Sequence, residues 1–83
     1  MDSYAEGYQV GRTNAERSGQ SVIGIYYMPT AEERARSVDF KGDDKRRAGW
    51  LAGWADGAAP FRAFQERELG VTTAEQWHNR YRK

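Results

Sequence analysis

In Ala48-Gly49-Trp50-Leu51-Ala52-Gly53-Trp54-Ala55-Asp56-Gly57 two tryptophans recur at i, i+4 and three glycines at i, i+4, i+8. With helix-favouring Ala and Leu between the glycines, that rhythm is a helix and not a glycine-rich loop. Trp50 and Trp54 then lie one above the other, and Gly49, Gly53 and Gly57 form a neighbouring groove free of side chains. Each interior glycine costs a helix about 0.8–1 kcal/mol against alanine, so a helix holding several requires a compensating contact. Close approach of a second backbone is that contact.

Upstream, Asp2 to about Ser18 reads as a first helix, with Asp2 or Ser3 as N-cap and Tyr4, Tyr8, Gly11 and Ala15 at intervals of four or three. Gly7 and Gly11 repeat the small-residue spacing. The expected core is therefore a helical hairpin in which Gly7 and Gly11 meet the groove of Gly49, Gly53 and Gly57, with Tyr4 and Tyr8 beside Trp50 and Trp54. Ser18-Gly19 supplies the expected stop.

Between the helices, Ser21-Val22-Ile23-Gly24-Ile25-Tyr26-Tyr27 is rich in β-branched and aromatic residues and is closed by Met28-Pro29. No second convincing strand accompanies it, so it is expected to be an extended connector over the helices, or a strand pairing with another copy in a homodimer. Thr30-Ala31-Glu32-Glu33 is a capping box opening a short helix to about Ser37, and its adjacent carboxylates suit a helix N-terminus rather than catalysis. Val38 to Gly42 reads as a loop, and Asp43 or Asp44 caps the central helix. Beyond Gly57, Pro60 suits the first turn of a separate helix over Phe61 to Leu69, with Phe61 and Phe64 inward and Gly70 as the stop. Thr72 or Thr73 with Glu75 or Gln76 caps a last helix carrying Trp77 and Tyr81. The expected fold is all-α or nearly so.

The 83 residues make one small domain, 1–83, with the hairpin over 2–57 and a helical extension over 58–83. Thirteen basic residues face twelve acidic ones, far from the balance of a general nucleic-acid binder, so any contact with RNA must rest on a local cluster. With no cysteine and a single histidine, His78, the chain offers no thiolate zinc site, no disulfide framework and no nucleophile beside a base. An enzyme is not expected, nor are a metal, a cofactor, a small-molecule substrate or a membrane span, and the expected compartment is the cytoplasm.

Glu6-Gly7-Tyr8-Gln9-Val10-Gly11 followed by Arg47-Ala48-Gly49-Trp50-Leu51-Ala52-Gly53-Trp54 resembles the ribosome modulation factor family. The resemblance runs over roughly residues 5 to 57 and rests on Gly7, Tyr8, Gln9 and Gly11 together with Trp50, Leu51, Gly53 and Trp54. Met28-Pro29 stands where the family has a Cys-Pro pair, the linker is longer, and residues 58–83 have no counterpart in short members. What it implies is an α-hairpin that binds the small ribosomal subunit during hibernation. Members of that family are strongly basic, whereas this chain is nearly neutral.

Two functions follow as expectations. In the first, ribosomal RNA is contacted by Arg12 and Arg17 at the end of the first helix and by Lys41, Lys45, Arg46 and Arg47 at the start of the central one, with Tyr26 and Tyr27 stacking on unpaired bases. An antiparallel hairpin would bring those two basic groups to one end. In the second, the chain is a protein-interaction module, such as a phage or mobile-element inhibitor docking on a host protein or nucleoprotein complex through Ile23, Ile25, Tyr26 and Tyr27 or through Trp77 and Tyr81.

Overall fold

The computed structural model describes residues 2–22 and 27–81, which hold four helices and no strand. They are α1 (Ser3–Val22), α2 (Ala31–Ala35), α3 (Asp44–Leu69) and α4 (Ala74–Tyr81). The all-α expectation therefore stands for these residues. Of the expected extended run, Ser21 and Val22 belong to α1, and Ile23 to Tyr26 lie outside the described residues.

Glycine interlock is what binds α1 to α3. A β-carbon on Gly49 would overlap the main-chain carbonyl of Tyr4, one on Gly53 that of Tyr8, and one on Gly57 would come to 2.7 Å from the Arg12 carbonyl oxygen. From the other side, Gly7 faces the Arg46 carbonyl and Gly11 that of Trp50. Both helices thus present glycine to the partner's backbone, which is the compensation that so many helical glycines require.

The order of these contacts fixes the direction of the pair. Tyr4 meets Gly49, Tyr8 meets Gly53, Arg12 meets Gly57, and Gly19 meets Phe61. Numbers rise together, so α1 and α3 are parallel, and the antiparallel sense expected of a hairpin is corrected. A parallel pair needs a connection that returns the full length of the first helix. Here Met28 lies beside Gln65, the Pro29 carbonyl beside Trp54, and Phe40 beside Trp50, so residues 27–43 descend along α3 to its start.

This returning connector covers the tryptophan face. Trp50 and Trp54 stack with centroids 5.3 Å apart, Phe40 meets Trp50 edge-on at 5.6 Å, and the Trp54 indole N–H donates to the Pro29 carbonyl at 3.1 Å. Ala15, Met28, Ala31, Ala35 and Ala58 complete this core cluster, with Val38, Leu51 and Phe61 packed against it. The ring contacts of the indoles are with Phe40 and with each other, and none joins them to Tyr4 or Tyr8 among the described residues. The main chains of Tyr4 and Tyr8 approach Gly49 and Gly53, Tyr4 is exposed, and the half-buried Tyr8 donates its hydroxyl proton to Asp56.

Two expected helix ends do not occur. Gly19 is not a stop but a seat for the Phe61 ring, and α1 continues to Val22. Pro60 begins no new helix, because α3 runs through it over 26 residues, about 39 Å at 1.5 Å per residue. Proline removes the hydrogen bond to the Asp56 carbonyl, but both residues are exposed, so water can satisfy that oxygen. Gly57, Ala58 and Phe61 on either side are held in place by α1 and the core, and packing overrides the local preference.

The caps are the expected ones. Thr30 and Glu33 form a full capping box, Asp43 accepts from the Arg46 N–H at 3.0 Å, and Gly70 ends α3 in the left-handed conformation at φ 67°. Thr73 and Gln76 form the reciprocal pair that opens α4. Inward from α4, Val71 and Trp77 are buried, while Phe64, expected inward, is more than a third exposed.

Candidate functional site

Parallel helices separate the cations expected to converge. Arg12 lies at the level of Gly57 and Arg46 at that of Gly7, a displacement along α3 of about 16 Å at 1.5 Å per residue. Arg17 lies further along α1 in the same direction, on its exposed side. Arg12 pairs with Glu16 at 3.7 Å, one turn along its own helix. There is thus no single patch formed by both groups.

At the start of α3 the cations divide again. Arg46 is half-buried and binds Glu6 of α1 at 2.7 Å and Asp43 at 3.7 Å, and the Glu6 carboxylate raises its pKa further above the usual arginine range. Asp43 is held below the usual carboxylate range, first by the Arg46 backbone N–H and then by the Ser3 hydroxyl. These groups tie the first turns of α1 and α3 together. Lys41, Lys45 and Arg47 are exposed, and none of them makes an ion pair among the described residues.

Lys41 sits on a tight turn. Lys41 and Gly42 have φ of 56° and 77°, and the Asp43 N–H donates to the Phe40 carbonyl at 3.1 Å, the pattern of a type I′ turn. The Asp39 carboxylate accepts the Lys41 N–H at 2.8 Å. Lys41, Arg46, Asp39, Phe40 and Asp43 border an open recess of about 490 Å³. Adjoining it, a groove of about 200 Å³ between α1 and the descending connector is lined by Val10, Val38, Phe40 and Trp50. Val10, on its rim, is 49% exposed.

Tyr27 is engaged in the fold rather than displayed. Its hydroxyl donates to Glu33 Oε1 at 2.6 Å and accepts from Arg62 Nη1 at 3.2 Å, and the Arg62 guanidinium lies over its ring at 5.8 Å from the centroid. Burial, then the bond to Glu33, pushes the Tyr27 hydroxyl pKa up. Arg62 also donates to the Met28 and Thr72 carbonyls, at 2.7 and 2.8 Å, joining the connector to the segment before α4. Gln65, 3% exposed, accepts the Met28 N–H at 2.8 Å and donates to the Met28 carbonyl at 3.1 Å. Tyr26 lies outside the described residues, and of Tyr81 only the backbone, as the end of α4, is described.

Sequence reasoning passed over Arg62 and Gln65. Gln65 continues the series of buried Trp50, Trp54 and Ala58 and partly buried Phe61 at helical spacing, so a polar residue in a core position was the available signal. The Val10 groove had no such signal, because the parallel return that brings Val38 and Phe40 to α1 is not written in local pattern. His78 is exposed, and no group of His, Asp and Glu among the described residues could hold a metal ion. No described helix is long and apolar enough to cross a membrane. No family model matches the chain, and neither curated proteins nor solved structures give a match.

Proposed function

We propose that this chain is a small non-enzymatic binding protein that engages ribosomal RNA on the small subunit, using the end of the molecule that carries Lys41, Lys45 and Arg47. The likeness to the ribosome modulation factor family points to that partner. The observation that carries the reading is the division of labour among the cations: Arg12 and Arg46 are paired with acids, whereas these three are exposed and make no ion pair among the described residues. Phosphate contact by unpaired surface cations is the sequence-independent part of RNA binding and costs no internal ion pair. Arg12, Arg17 and Tyr27 have no part in this surface.

Co-sedimentation of the folded protein with small ribosomal subunits across a salt titration tests the reading. Binding should weaken steeply with salt, and the double variant Lys45→Glu, Arg47→Glu should abolish it while leaving circular dichroism unchanged. Binding that withstands high salt and this charge reversal would favour a second reading, a protein-docking module using the Val10, Val38, Phe40 and Trp50 groove, for which the half-exposed Val10 speaks.

A further inference from the structure

The left-handed backbone at Lys41 has no explanation within the fold. A side chain with a β-carbon is disfavoured at φ 56°, and position i+1 of a type I′ turn is ordinarily Asn, Asp or Gly. Two arrangements stabilise the turn, the Asp43 N–H on the Phe40 carbonyl and the Lys41 N–H on Asp39, and both use main-chain atoms of residue 41 or none of its atoms. Any residue but proline would supply them. The Lys41 side chain is exposed and has no hydrogen bond or ion pair among the described residues, so no contact among them repays the strain of placing a lysine there. Strained backbone of this kind persists where the residue type serves something other than stability.

We propose that the Phe40-Lys41-Gly42-Asp43 turn is a preformed mount for Lys41, which contacts a phosphodiester group of the RNA partner and is kept at a cost in stability. This rests on the RNA-binding reading above and adds a named contact to it. The turn is anchored on both sides, by Phe40 against Trp50 and by Asp43 as the α3 cap, so the Cα of Lys41 is held in place before any partner arrives. The nearby Asp39 and Asp43 carboxylates are occupied with the Lys41 and Arg46 N–H groups, and Asp43 also pairs with the Arg46 guanidinium. Neither carboxylate makes an ion pair with the exposed Lys41.

Lys41→Gly separates the two roles, because glycine adopts the turn without strain and carries no charge. Its melting temperature should rise by about 2–8 °C, the relief of strain being partly offset by glycine's greater freedom in the unfolded chain. Its affinity for small ribosomal subunits should fall about 3–10-fold at low salt, with the slope of log K against log salt reduced by roughly one contact. An unchanged or lower melting temperature would overturn the strain argument. A stabilised Lys41→Gly that binds as tightly as the parent, while Lys45→Glu, Arg47→Glu does not bind, would overturn the assignment of Lys41 and leave the RNA-binding reading standing. A parent protein that does not bind the subunit at all would overturn both.

Discussion

The α-carbon of Gly53 faces the main-chain carbonyl of Tyr8 so closely that a β-carbon there would overlap the oxygen. Helix propensity and packing therefore pull in opposite directions at this position. Alanine would be favoured in an isolated helix by about 0.8–1 kcal/mol, but here the neighbour is backbone and cannot rotate away. Gly53→Ala is expected to push the helices apart and to cost about 1–3 kcal/mol, the range of an overpacked core. Thermal unfolding measures the outcome, and a variant as stable as the parent would mean that α1 does not approach α3 in this way.

Parallel packing of α1 and α3 makes a second prediction, and the absence of cysteine allows clean labelling. Gly19 meets Phe61, so labels on Gln20 and Ala63 should be close, whereas labels on Gln20 and Lys45 should be separated by about 27 Å along the axis at 1.5 Å per residue. An antiparallel hairpin would reverse the two distances. Double electron–electron resonance on the two label pairs decides between them.

That test bears on what the sequence could disclose. The glycine spacings in both helices were legible, because a groove without side chains is a local property. Direction was not: a glycine stripe receives a backbone of either polarity, and the sense is set by how residues 27–43 return across Trp50 and Trp54. The misplacement of Arg12 and Arg17 beside Arg46 followed from that one ambiguity. Pro60 and Gly19 were misread for a related reason, since each is a helix breaker by itself and each is held inside a helix by what packs next to it. The caps at Thr30, Asp43 and Gly70 were readable because they depend on residues a few positions apart.

Gln65 offers a third prediction. In Gln65→Leu the buried Met28 N–H loses its partner, while the Met28 carbonyl keeps Arg62. One orphaned buried donor costs about 1–3 kcal/mol, so the midpoint of urea unfolding should fall accordingly, with an unchanged slope. A neutral result would place the connector elsewhere than along α3.

The Tyr27–Glu33 pair sets opposite limits in acid and alkali. Burial by itself would raise the Glu33 pKa, but hydrogen bonds from the Thr30 backbone, the Tyr27 hydroxyl and the Thr30 hydroxyl, with the Arg62 charge, bring it below the usual glutamate value. A folded pKa below the unfolded one gives stability that is present above the unfolded value and lost as pH falls through the folded value. Tyr27 is shifted the other way, by burial and then by Glu33, so its contribution is complete below the ordinary tyrosine value and lost as pH rises through the folded one. Glu33→Gln should therefore flatten the acid limb of melting temperature against pH, and Tyr27→Phe should flatten part of the alkaline limb, Tyr8 supplying another part through its bond to Asp56. Both groups are partly exposed, so the effects are small. An acid limb in Glu33→Gln that runs parallel to the parent's as pH falls from the ordinary glutamate value through the lower folded one would show that the carboxylate is not held by Tyr27 and Thr30. An alkaline limb unmoved by Tyr27→Phe would remove Tyr27 from the Arg62 junction.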